Sequence, residues 1–256
     1  MSALRIQQFP CLADNYGYLL HDPDSGLTAS IDSPDAEAIE RELAGQGWRL
    51  DYILNTHHHA DHAGGNLRLK QSTGCTIVGA RADADRIPGL DLMVADGDSF
   101  ALGKHAARII ETPGHTRAHV CYLFETDRAA FVGDTLFSMG CGRLFEGTPA
   151  QMWTSLQKIM QLTDETRIYC AHEYTQSNGR FALSLEPENP ALRARLREVA
   201  ALRAAGQPTV PSTLGTEKAT NPFLRPASPA LRAGLGLASA SDTEVFAETR
   251  RRKDRF

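Results

Sequence analysis

Four histidines and an aspartate fall within seven residues, Thr56-His57-His58-His59-Ala60-Asp61-His62, just after the short apolar run Tyr52-Ile53-Leu54. Neither a helix cap nor a solvated loop needs several adjacent imidazoles. Imidazole nitrogen and carboxylate oxygen suit zinc, iron or manganese, and the lack of nearby cysteine argues against a structural zinc finger. In an extended loop His57 and His59 point to the same side and can share one ion. Asp61 and His62 can then serve a neighbouring one.

One metal needs three or four protein ligands, so the fold must bring others to this segment. Three sites in the sequence have the right chemistry. His115 lies in Thr112-Pro113-Gly114-His115-Thr116 after Arg108-Ile109-Ile110, and Asp134 lies in Gly133-Asp134-Thr135 after Ala130-Phe131-Val132. His172 lies in Ala171-His172-Glu173 after Ile168-Tyr169-Cys170. Each apolar run reads as a short buried strand, so the four ligand-bearing segments all follow strands and gather along one sheet edge. Glycines at 64, 65, 114 and 133 allow close approach of these loops. His58 is expected to point away from the metals, and His21, His105 and His119 to be surface or supporting residues.

The spacing of helix signals divides the chain. Short strands mixed with helices continue to about residue 172, as in packed sheets flanked by helices. Ser33-Pro34 is expected to open a helix ending near Gly45 or Gly47, and Thr148-Pro149-Ala150-Gln151 is a capping box for a helix to about Leu162. After Tyr174 the strand signal disappears. Asn189-Pro190 starts a helix with Leu192, Leu196, Val199 and Leu202 on one stripe, stopped by Gly206. Ser241 with Glu244 caps a last helix through about Lys253, and a proline-rich stretch from Pro208 to Pro229 connects the two. The expectation is an α/β domain over 1–172 and a second, mainly helical substrate-binding domain over 173–256.

A net charge of −4 argues against nucleic-acid binding, which requires a basic surplus. No run approaches a membrane span, and the N-terminus carries no secretory pattern. Five scattered cysteines without CxxC spacing favour reduced thiols. A cytoplasmic, monomeric enzyme is therefore expected.

The pattern THxHxDH at 56–62, followed by His115, Asp134 and His172, resembles the metallo-β-lactamase superfamily. The resemblance implies an αββα sandwich, with His57, His59 and His115 on one metal and Asp61, His62 and His172 on the other. Asp134 would bridge the two. Further motifs resemble the glyoxalase II family: Asp14-Asn15-Tyr16-Gly17-Tyr18, the segment from Gly140 to Thr148 and His172-Glu173-Tyr174-Thr175. Asn221-Pro222-Phe223-Leu224-Arg225 and the ending Arg250 to Asp254 belong to the same set. That resemblance implies that Arg143, Tyr174, Arg250 and Lys253 hold glutathione. Phe145 stands where many members have tyrosine, and Arg143 where some have lysine.

The implied reaction converts S-D-lactoylglutathione and water to glutathione and D-lactate, the second step of methylglyoxal detoxification. Two zinc ions per chain, or iron or manganese, would supply a bridging hydroxide as nucleophile, with Asp61 and Asp134 as the catalytic carboxylates. Arg250 and Lys253, three apart on the last helix, share one face. Other functions on this fold fit less well. A persulfide dioxygenase would use fewer of the ligands and would not need the basic last helix, and a two-metal β-lactamase would commonly have cysteine at Asp134. A phosphodiesterase would want a basic groove, and a non-catalytic binding protein would have lost ligands.

Overall fold

The computed structural model describes residues 2–256, and the chain falls into two compact units. The first runs to Glu111 and resumes at Ala118–Gly133; the second comprises Thr112–Arg117 and Asp134–Phe256.

The first unit opens with β1 (Arg5–Cys11), β2 (Asn15–His21) and β3 (Thr28–Ile31). Then follow α1 (Ala36–Gln46), β4 (Tyr52–Leu54), α2 (Ala60–Ala63), α3 (Asn66–Thr73), β5 (Thr76–Ala80) and β6 (Leu92–Val94). β1 to β6 form one sheet in sequence order, antiparallel from β1 to β3 and parallel from β3 to β6. Both faces are covered, so β2 is a continuous buried run rather than an alternating one. Leu19 joins Ile53, Ile77, Ile39, Leu43 and Leu69 in a core beneath α1 and α3. Its neighbour Tyr18 turns to the other face and meets Phe131 edge-on at 5.5 Å.

That second face is covered by β7 (Ser99–Leu102), β8 (His105–Glu111), β9 (Val120–Phe124) and β10 (Ala129–Gly133), all antiparallel. The three expected strands of this unit are present as β4, β8 and β10. The first helix begins later than Ser33-Pro34. Asp35 is its cap, accepting from the backbone of Glu37 and Ala38, while the Ser33 hydroxyl donates to Asn66 Oδ1 at 2.6 Å. An aspartate two residues on offers the stronger acceptor and leaves Ser33 to tie down the start of α3.

The second unit contains the hairpin β11 (Leu136–Phe137) and β12 (Gly140–Cys141), α4 (Pro149–Met160), β13 (Arg167–Cys170), α5 (Thr175–Leu185) and α6 (Pro190–Ala204). It ends with β14 (Ser212–Thr213), α7 (Leu214–Thr220), α8 (Pro229–Leu235) and α9 (Asp242–Lys253). Both expected capping boxes form, Thr148 with Gln151 and Ser241 with Glu244. Leu192 and Val199 of α6 pack with Met139 and Ala182. The strand signal does not stop at Tyr174: Ser212 and Thr213, inside the proline-rich stretch, pair with Ile168 and Arg167. Two residues are too few to show a period, and the pairing uses only backbone groups. No helix among the described residues is long and apolar enough to cross a membrane.

Candidate metal centre and substrate cavity

In the first unit the histidine segment leaves the end of β4 and turns into α2. His57 Nδ1 lies 3.1 Å from the Thr56 hydroxyl, which leaves Nε2 at 3.0 Å from Nδ1 of His59. Both nitrogens are within reach of one ion. His62 Nδ1 is held by Asp32 Oδ2 at 2.8 Å, and its Nε2 lies 3.6 Å from Asp61 Oδ2. The other face of this arrangement is the buried Asp32 carboxylate, which also accepts from Thr56 N at 2.7 Å and Thr56 Oγ1 at 2.8 Å. A carboxylate behind an imidazole fixes its tautomer and raises its basicity toward a metal. Sequence reading missed Asp32; a lone aspartate two residues before a presumed helix gives no sign of this role.

His58 points elsewhere, its Nδ1 3.0 Å from Asp83 Oδ2. His119 is fully buried and stacks on His57 at 5.0 Å, so it supports that ring and is not on the surface. His105 is also buried, bonded to Asp127, and His21 stacks on Trp48. Gly133, at φ +47°, passes close beneath the cluster: a Cβ there would meet His119 Nε2 at 2.6 Å and Thr56 Oγ1 at 2.7 Å. Only glycine fits that path.

In the second unit His115, Asp134 and His172 come together. Asp134 Oδ2 lies 3.3 Å from His115 Nε2, and its Oδ1 lies 3.4 Å from His172 Nε2. A direct charged hydrogen bond would be nearer ~2.8 Å, whereas two ligands on one tetrahedral ion with arms of ~2.0–2.1 Å stand ~3.3–3.4 Å apart. The spacing therefore fits an ion between each pair. His115 Nδ1 is bonded to the Arg143 carbonyl at 2.9 Å, which turns Nε2 toward Asp134. Tyr174 lies flat on His172, ring centroids 4.8 Å apart and planes within 2°.

A cavity of about 700 Å³ in this unit is lined by His115 and Asp134 together with Arg143, Tyr174, Arg180, Arg250 and Lys253. Arg143, Tyr174, Arg250 and Lys253, expected from the family resemblance to hold substrate, thus border one space, and it is of the size small ligands use. The aromatic rings of Phe137, Phe145 and Phe256 complete it. Arg250 is not a free hand in this cavity. It is buried, donates from Nη1 to the Cys141 carbonyl at 2.9 Å, pairs with Asp254 at 2.7 Å and covers the Phe223 ring.

Lys253 is less committed. Its Nζ lies 3.4 Å from both the carbonyl and the hydroxyl of Ser177. Burial, reinforced by Arg250, Arg180 and Arg143, pulls its ammonium down to about 8. Cys141 also borders the space, but burial pushes its thiol up to about 11, so it is neutral at pH 7 and a poor nucleophile.

The motif Asn221 to Arg225 braces this wall from behind. Asn221 Nδ2 donates to the carbonyls of Gly140 at 2.9 Å and Phe137 at 3.1 Å. The buried Glu217 accepts from Met139 N at 2.7 Å, at the hairpin turn where Met139 has φ +55°. These polar clamps on backbone leave no sequence signal beyond residue type.

The class follows from comparison with known proteins: residues 24–172 match the metallo-beta-lactamase superfamily. This superfamily binds divalent metal, as the His/Asp clusters of both units suit. Its fold of mixed sheets and helices is accompanied here by a C-terminal helical part, residues 173–256, that matches the hydroxyacylglutathione hydrolase C-terminus. Over its whole length the chain is 59% identical to a hydroxyacylglutathione hydrolase of Maricaulis maris, covering 100% of both chains. It is 57% identical to one of Methylococcus capsulatus, covering 99% of each. The chain belongs to the hydroxyacylglutathione hydrolase family. A crystal structure of ETHE1 from Myxococcus xanthus superposes with a TM-score of 0.69 at 26% identity, covering 96% of this chain and 90% of that one.

Proposed function

We propose that this chain hydrolyses the thioester of an S-(2-hydroxyacyl)glutathione, with S-D-lactoylglutathione the expected substrate, releasing glutathione and D-lactate in methylglyoxal detoxification. The observation that carries this reading is the cavity in which Arg143, Tyr174, Arg250 and Lys253 stand beside His115 and Asp134. The relatives above 50% identity support it.

His57, His59 and His115 would hold one divalent ion and Asp61, His62 and His172 a second, with Asp134 between them. Zinc is the expected metal, and iron and manganese suit the same donors. When bound, two such ions act as Lewis acids on the carbonyl and lower the pKa of water.

The chain's own residues do the rest. Asp61, its side chain about two-fifths exposed and held by Asn15 Nδ2, can accept a hydrogen bond from the attacking water. Asp32 and the Arg143 carbonyl keep His62 and His115 in the tautomers that offer Nε2. Arg143 and Lys253 attract the carboxylates of the tripeptide, and the aromatic rings pack along its cysteinyl thioester stem. The water gives a proton to Asp61, for release to solvent, as its oxygen bonds to the acyl carbon, and collapse of the tetrahedral adduct then breaks the C–S bond. A thiol with a pKa of about 8.5 leaves as the thiolate, so no acid is needed at sulfur.

Residues 1–172 would thus carry the chemistry and 173–256 much of the substrate recognition, in a cytoplasmic monomer. The test is hydrolysis of S-D-lactoylglutathione by protein purified without chelators, with elemental analysis of the same sample. Thiol release with close to two metal ions per chain is expected. Oxygen consumption on a glutathione persulfide, with one iron per chain, would establish the dioxygenase reading instead.

A further inference from the structure

Four cations and two carboxylates line the cavity, but they do not cancel. Asp254 is engaged by Arg250, and Asp134 faces two metal-ligand histidines. Arg143, Arg180 and Lys253 remain, and among the described residues neither Arg143 nor Arg180 forms an ion pair. Elsewhere in the same unit exposed arginines do find carboxylates: Arg251 and Arg252 share Glu248, and Arg193 pairs with Glu188. Like charges gathered around one space repel: burial first, and then the three arginines, disfavour the Lys253 ammonium. Such a cluster is stabilised when an anion enters.

Arg180 is the member with no assigned role. It lies on α5, whose Ser177 and Asn178 border the same cavity and whose Ser177 carbonyl and hydroxyl touch Lys253. Arg180 is exposed, but it stands on the cavity lining beside two other cations.

We propose that Arg180 is a further specificity-determining residue, which with Arg143 and Lys253 forms a three-cation receptor reading both carboxylates of the glutathione moiety. The inference rests on the hydrolase reading above and deepens it. With Arg250 largely committed to the Cys141 carbonyl and Asp254, the last helix supplies one available cation, too few for a ligand with two separated carboxylates. Arg180 and Arg143 supply the others. Discrimination against thioesters carrying one carboxylate then resides in α5 as well as in α9.

The experiment compares wild type, Arg180→Gln and Arg180→Lys on S-D-lactoylglutathione and on two analogues. In one the glycyl carboxylate is an amide; in the other the γ-glutamyl α-carboxylate is removed. On the intact substrate Arg180→Gln should raise KM by about 3- to 5-fold with little change in kcat, the range for one exposed charged contact. Arg180→Lys should recover part of the loss. On the analogue lacking the carboxylate that Arg180 holds, the glutamine variant should cost less than about twofold. An unchanged KM on the intact substrate, or the same penalty on both analogues, overturns the proposal. A wild type inactive on S-D-lactoylglutathione overturns the functional reading and this inference together, so the two failures are distinguishable.

Discussion

The proposed metal ligands and the cavity cations are built on opposite principles. His57, His62, His115, His172 and Asp134 are all buried, and His57, His62 and His115 each have a second ring contact that fixes the nitrogen they present. Around the cavity Phe145 and Phe256 are more than half exposed, Lys253 lies at the long end of hydrogen-bond distance from Ser177, and among the described residues Arg143 and Arg180 have no ionic partner. The first arrangement is ordered before anything binds; the second leaves charge unsatisfied until an anion arrives. Changes to the ligands should therefore strike the rate, and changes to the cations the affinity.

The strongest way to break this contrast is Asp134→Asn. Its two oxygens face two different histidines, and an amide offers one oxygen and an NH₂ group that cannot ligate. Turnover should fall on the order of 10³-fold, with metal lost on dialysis. Normal kcat and full metal content in that variant would show that the carboxylate is only a neighbour of the ligands.

Arg250 and Lys253 should separate, although the sequence presents them as a pair on one helical face. Arg250→Ala removes a bond to the buried Cys141 carbonyl and the partner of Asp254, costing about 2–3 kcal/mol. That is a thermal midpoint roughly 4–12 °C lower, with KM raised only about twofold because Arg250 is committed to the cavity wall. Lys253→Gln should leave the midpoint nearly unchanged and raise KM about fivefold at pH 7.

The pH dependence gives the sign. Burial and the neighbouring arginines hold the Lys253 ammonium down to about 8, and a bound carboxylate favours the protonated form. Affinity is therefore full below about pH 8 and declines above it. Wild-type KM should climb between pH 8 and 10, and Lys253→Gln should flatten that climb.

The same contrast explains what could be read in advance. His57, His59, Asp61 and His62 sit in one segment, and His115, Asp134 and His172 each follow an apolar run, so local sequence showed both chemistry and placement. The cavity is assembled from residues near 115, 134–145, 174–180 and 250–256. No local pattern joins those stretches, and only family resemblance identified four of the residues. Arg180 borders the cavity without any sequence signal, because an isolated arginine on an amphipathic helix looks like solvated surface. Asp32 was missed for a different reason, since its work is done through hydrogen bonds to Thr56 and His62, far along the chain.

Phe145→Tyr should have the smallest effect and sharpen the contrast most finely. Phe145 borders the cavity with its ring edge-on to His115 at 5.2 Å, yet is 62% exposed. A tyrosine there would add a hydroxyl at the cavity edge. In a buried site the new hydrogen bond would contribute about 1 kcal/mol, or roughly fivefold in KM. At this exposure water competes for the same hydroxyl, and the gain should shrink to about twofold, with kcat unchanged because the added group lies on the binding side. Steady-state kinetics on S-D-lactoylglutathione can resolve the two cases. A KM lowered more than tenfold would mean that substrate seals this edge of the cavity on binding, making it as ordered in the complex as the metal ligands are before binding.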